Sequence, residues 1–152
     1  MELVELGRTG IRVSRLCFGS LTMGPLQRGL SPAAGAALLR VAFDLGVNFV
    51  DTAELYGTYP HIALAVKGIR DRVVVATKSY AHTREGMERS LENALRALGT
   101  HYVDVFLLHE QDSAQTLRGH WGAVEYLLRA REASPPTPSR RSERRRRCRS
   151  CR

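Results

Sequence analysis

Gly46-Val47-Asn48-Phe49-Val50-Asp51-Thr52-Ala53-Glu54-Leu55-Tyr56-Gly57 contains the pattern that decides the fold. A glycine that stops a helix is followed by a short apolar run, Asn48–Asp51, which reads as a strand ending on an ionisable side chain.

The same succession recurs on both sides. Apolar runs at Leu16–Gly19, Asn48–Asp51, Val73–Lys78 and Val103–His109 alternate with longer segments of helical period, and their ends lie 32, 27 and 31 residues apart. This regular spacing is that of parallel strands joined by crossover helices, a repeat of βα units. The first helix is predicted to start at Ser31, an N-cap with Pro32 at the first helical position, to bury Leu38, Val41, Ala42 and Leu45, and to stop at Gly46. A shorter helix is expected around Ile62–Val66, bounded by Pro60 and Gly68. The third, Thr83–Leu98, places Met87, Leu91, Ala94, Leu95 and Leu98 on one face before Gly99, and the fourth turns Trp121, Val124, Leu127 and Leu128 inward. Ahead of these units, Val4–Leu6 and Ile11–Val13 flank Gly7-Arg8-Thr9-Gly10 and read as a β-hairpin placed to cover one end of a barrel. Cys17, in an apolar segment, is expected to be a small buried side chain.

With 152 residues and 43% hydrophobic content, the chain can bury one ordinary core. It has no basic leader followed by a long apolar run and no stretch near the ~18 apolar residues of a membrane span, so a cytoplasmic protein is expected. The net charge of +8 invites a nucleic-acid reading, but residues 134–152 hold eight Arg against one Glu, whereas residues 1–133 hold 15 basic and 14 acidic residues. The folded part is nearly neutral. Two regions are therefore expected: a folded unit over 1–133 and a disordered Ser/Pro/Arg-rich tail over 134–152. The three cysteines do not form a disulfide framework, and Cys148 and Cys151 lack the second ligand pair that a zinc site needs. Arg144–Arg147 would bind polyanions without specificity.

Three of the apolar runs end in a group that can do chemistry: Asp51, Lys78 and His109. In a parallel βα barrel the C-terminal ends of the strands converge on one mouth, so these residues would meet there, with Tyr56 joining from the loop after Asp51. A tyrosine hydroxyl, with a reference pKa of about 10, is a poor proton donor near neutrality unless a cation stabilises its phenolate. Lys78 can be that cation and Asp51 its anchor, while His109 can donate a hydrogen bond to a carbonyl oxygen. His61, His82, His101 and His120 read as surface or packing residues.

Around these residues the sequence resembles the aldo-keto reductase family, whose Asp, Tyr, Lys and His tetrad matches Asp51, Tyr56, Lys78 and His109 in order. The stretch 46–57 is similar to the family's signature, Val75-Ala76-Thr77-Lys78 to its lysine strand, and Tyr102-Val103-Asp104 leading to His109 to its histidine strand. The resemblance implies an α/β fold, the N-terminal half of a (β/α)8 TIM barrel, and NADPH-dependent reduction of an aldehyde or ketone to an alcohol. Tyr56 would be the general acid, Lys78 and Asp51 its tuning pair, and His109 the residue that orients the substrate. Gly19, Ser20 and Leu21, together with Asp51, would line NADPH (NADP), and most adenosine and phosphate contacts would come from the second half of the barrel. Family members continue past the fourth helix into a fifth strand, whereas Ala133 here is followed by Ser134-Pro135-Pro136. The change of composition is the one a frameshift near residue 134 would give. A half barrel also implies open strand edges and self-association through them. The alternative is a non-catalytic fragment whose basic tail binds nucleic acid or another polyanion.

Overall fold

The computed structural model describes residues 1–134. The expected disorder of the tail, its arginine run and its Cys148/Cys151 pair lie outside the described residues.

The chain opens with an antiparallel hairpin of β1 (Leu3–Glu5) and β2 (Arg12–Ser14). A parallel sheet follows in simple chain order: β3 (Phe18–Gly19), β4 (Phe49–Asp51), β5 (Val74–Ser79) and β6 (Val105–Leu108). Between and after the strands run α1 (Pro32–Asp44), α2 (Tyr59–Val66), α3 (Arg84–Leu98), α4 (Ala114–Gly119) and α5 (Trp121–Ala133). Four βα units in consecutive order are the arrangement of half an eight-stranded β/α barrel.

Alternation along the strands sorts the side chains into two layers. Val50 and Val75 face outward and pack with Leu39, Ile62, Ala94 and Leu98 into the main core between sheet and helices. Phe49, Val74 and Val105 face the other way, at the starts of their strands, and pack on Ile11 and Val13 of the hairpin. Asn48 fastens the two together, its amide donating to the Arg12 carbonyl at 3.1 Å and accepting from the Ser14 N–H at 2.7 Å. The hairpin thus closes the N-terminal end of the sheet, as its sequence suggested.

The caps of α1 and α3 also follow the sequence. Ser31 accepts from the Ala34 N–H, Thr83 from the Gly86 N–H, and Gly99 ends α3 in the left-handed conformation. Helix faces do not all follow it. The buried side of α1 is Gly35, Ala36, Leu39 and Ala42, whereas Leu38, Val41 and Leu45 are 50%, 58% and 70% exposed. This helix is apolar almost all round, so its period does not choose a face; the close approach of α2 does. Gly35 lies against the His61 ring, where any Cβ would collide, and His61 Nε2 is in turn hydrogen-bonded to the Leu30 carbonyl at 2.8 Å. In α2 itself Pro60 is not a boundary but part of the first turn, where a missing N–H costs no bond.

On α5, Ala123 is buried, while Trp121 and Leu128, expected to face inward, are 52% and 42% exposed. Their side lies beyond β6, where no further strand stands among the described residues. An apolar groove of about 550 Å3 runs there, lined by Leu95, Val103, Leu107, Leu117, Val124 and Leu127. The first strand is shorter than expected, with Leu16 outside it and 62% exposed. Cys17 is exposed rather than buried: it shares the inward parity of Gly19, on the side of Asp51 and Lys78, where the interior is open among the described residues. No described helix is long and apolar enough to cross a membrane.

At the N-terminal end of β6 the chain is fixed by Asp104, whose side chain is only 1% exposed. It accepts from Arg70 at 2.9 Å and from the Val75 N–H at 3.0 Å. The same guanidinium donates to the Val73 and Tyr102 carbonyls and lies 4.2 Å from the centre of the Tyr102 ring. Removing one partner of such a pair strands the other without compensation, so Asp104→Ala should lower the unfolding free energy by about 3–5 kcal/mol in denaturant titration. A loss under about 1 kcal/mol, the worth of an exposed ion pair, would show that this link does not hold β5 to β6.

Candidate active site

Strand register places the chemistry. Gly19 is paired with Asp51, Asp51 with Ala76 and Lys78 with Leu107, and paired residues on parallel strands point to the same side. That side is the barrel interior, and Asp51 and Lys78 are the inward residues at the C-terminal ends of their strands. His109 follows Leu107 with the same parity, its N–H held by the Ser79 carbonyl at 3.0 Å.

Lys78 Nζ lies 2.7 and 2.8 Å from the two Asp51 oxygens and 2.8 Å from the Thr52 carbonyl. These bonds can use all three ammonium protons, so the charge is fixed in position as well as balanced. Tyr56 ends a single 3₁₀ turn, Glu54–Tyr56, closed by Gly57 at φ +64°. Its ring centre is 5.3 Å from Lys78 Nζ, and His109 meets it edge-on at 5.7 Å. The imidazole of His109 is buried, and its Nδ1 has no hydrogen-bond partner among the described residues. Burial and then the Lys78 charge hold its pKa below the usual 6.5, with Glu110 and Asp51 pulling the other way. The histidine is therefore neutral at pH 7. Asp51, Tyr56, Lys78 and His109, spread over 59 positions of sequence, form one cluster.

The three residues expected beside them at the end of β3 differ in their surroundings. Gly19 has open space where a Cβ would stand. Ser20 is fully buried: its hydroxyl is 2.8 Å from that of Thr58, its N–H donates to the Asp51 carbonyl at 2.9 Å and its carbonyl accepts from the Met23 N–H at 3.0 Å. Leu21 begins the short turn Leu21–Met23 and is half-buried.

Two residues were missed by the sequence reading. Tyr80 stacks on His109, with ring centres 4.2 Å apart and planes 22° from parallel. Its position two after Lys78, and hence of inward parity, is a signal that could have found it. Glu54 sends its carboxylate away from the mouth to Ser79 and Ser90. No periodicity marks a residue in so short a turn.

Comparison with known proteins bears on the family and the fold. The sequence profile of the aldo/keto reductase family matches residues 15–130. An uncharacterized oxidoreductase of Bacillus subtilis is 30% identical over 154 aligned positions, which take in 86% of this chain and 46% of the relative. L-galactose dehydrogenase of Arabidopsis thaliana is 31% identical over 72% of this chain and 38% of its own length. A solved structure of an aldo-keto reductase-type protein from Pseudomonas aeruginosa superposes with a TM-score of 0.73 at 26% identity, covering 84% of this chain and 56% of that one. The chain spans less than half the length of the curated relatives it matches. On the family match and the parallel βα architecture together, the chain belongs to the aldo/keto reductase family.

Proposed function

We propose that this chain carries the proton-handling half of an NADPH-dependent carbonyl reductase, which converts an aldehyde or ketone to an alcohol. The observation that carries this reading is the cluster of Asp51, Tyr56, Lys78 and His109 at the C-terminal ends of the strands. NADPH, when bound, supplies a hydride to the carbonyl carbon. Gly19, which bears no side chain, faces open space beside Asp51 and leaves room for a flat ring there, so the residues present fit such a group.

The chain's own residues would do the rest. Neutral His109 donates a hydrogen bond to the carbonyl oxygen and holds it near the Tyr56 hydroxyl. As negative charge grows on that oxygen, Tyr56 gives up its proton to it, and the nearby Lys78 ammonium stabilises the phenolate left behind. Asp51 keeps Lys78 charged and aimed. Among the described residues both outer strands, β3 and β6, have one unpaired edge. We propose that the interior is closed there by further barrel strands or by a second copy of the chain, and that the site is active only when closed.

In an assay of NADPH oxidation with a small aromatic aldehyde, a second barrel half from a relative can be supplied in trans. Tyr56→Phe and Lys78→Met should each lower the rate at least about 100-fold, the low end for loss of general acid catalysis. Turnover at the unaltered rate in Tyr56→Phe would remove the proposal.

The histidine gives an independent check. Because its folded-state pKa lies below the unfolded value, the stability it contributes is complete above pH 6.5 and is lost as pH falls through the folded-state pKa. Titration of the His109 ring by NMR should show a midpoint below 6.5, and Lys78→Met should raise it by removing a neighbouring positive charge. A midpoint at or above 6.5 would contradict the neutral donor.

A further inference from the structure

Tyr56 stands on three residues of 3₁₀ turn, with no strand or long helix of its own to hold it. One side of this turn rests on a neighbouring loop. The Tyr56 carbonyl occupies the space a Cβ on Gly24 would need, and Pro25 fills the space beside Gly57. The other side is held by Glu54. Its Oε2 accepts from the Ser79 hydroxyl at 2.7 Å and from the Ser90 hydroxyl at 2.8 Å, and the two hydroxyl oxygens are themselves 2.9 Å apart. Ser79 and Ser90 are only 2% and 6% exposed.

The donors come from two different elements. Ser79 follows Lys78 on β5, and by alternation its side chain points outward to the helix layer while that of Lys78 points to the interior. Ser90 lies on the buried face of α3 with Met87 and Ala94. A carboxylate between two buried hydroxyls makes charge-assisted bonds that are short and directional, which apolar packing at the same place would not be. One group therefore ties the turn that ends in Tyr56 to the strand that carries Lys78.

We propose that Glu54 is a positioning residue for the carbonyl-reducing site: its grip on Ser79 and Ser90 sets the distance and angle of the Tyr56 ring relative to Lys78 and His109. The inference rests on the proposed function above, and it can fail while that reading stands.

The test uses the 152-residue chain with labelled tyrosine and lysine, the Tyr56 signals being identified by their disappearance in Tyr56→Phe. In the unaltered chain the Tyr56 ring protons should show NMR cross-peaks to the Lys78 side chain and to the His109 ring. In Glu54→Leu these cross-peaks should be lost, while the amide spectrum of α1 and α2 stays in place. Glu54→Gln, which keeps an acceptor oxygen, should retain them. Cross-peaks of undiminished intensity in a folded Glu54→Leu chain would overturn the proposal. If that variant does not fold, the double variant Ser79→Ala, Ser90→Ala decides in its place, loss of the cross-peaks supporting the proposal and their persistence overturning it. Absence of the cross-peaks in the unaltered chain would overturn the site reading itself, and the role of Glu54 with it.

Discussion

Successive residues of a strand point to opposite faces, and four parallel strands here are held in a register that keeps their inward sets aligned. The cluster depends on this constraint. A slip of one residue in β4 would carry Asp51 from the interior into the layer of Val50 and Val75, where an ionised carboxylate has no partner and is costly to bury. The same slip would expose Val50. Apolar burial outside and ion pairing inside therefore select the same register, and the Arg70–Asp104 pair fixes β6 against β5 at the far end from the chemistry.

Much of this could be read from the residues because the signals were local and independent. Ser31, Thr83 and Gly99 mark helix ends by their own hydrogen-bonding and backbone needs, whatever packs around them. Asp51, Lys78 and His109 stood out because a polar group at the end of an apolar run has no packing reason to be there. The buried face of α1 was not legible. Leu38, Val41 and Leu45 fit a helical stripe as well as Leu39 and Ala42 do, and the choice was made by Gly35 and Ala36, whose small size lets α2 approach. Cys17, Trp121 and Leu128 were misplaced for a related reason. Apolar character says that a residue can be buried, but whether it is depends on what stands across the interior from Cys17 or beside β6. Tyr80 was marked only by its inward parity after Lys78, and Glu54 acts through contacts with Ser79 and Ser90, distant in sequence, of which its local context carries no mark.

The geometry of the cluster and the strength of its electrostatics have different origins. Lys78 is held by three short hydrogen bonds, two of them to Asp51, all from within these βα units. Its position is therefore set by this part of the barrel alone. The field it exerts is another matter, because the interior is open: Leu107, an inward residue, is 44% exposed, and the Asp51 side chain is 35% exposed. A unit charge acts through water about fourfold more weakly than through an effective dielectric typical of a protein site. Strands or a partner that close the interior would leave the positions of Tyr56, Lys78 and His109 as they are and strengthen what Lys78 does to the Tyr56 proton. The half barrel supplies aim, and exclusion of water supplies strength. On the proposed function, this division accounts for a well-formed cluster in a chain whose interior is open among the described residues.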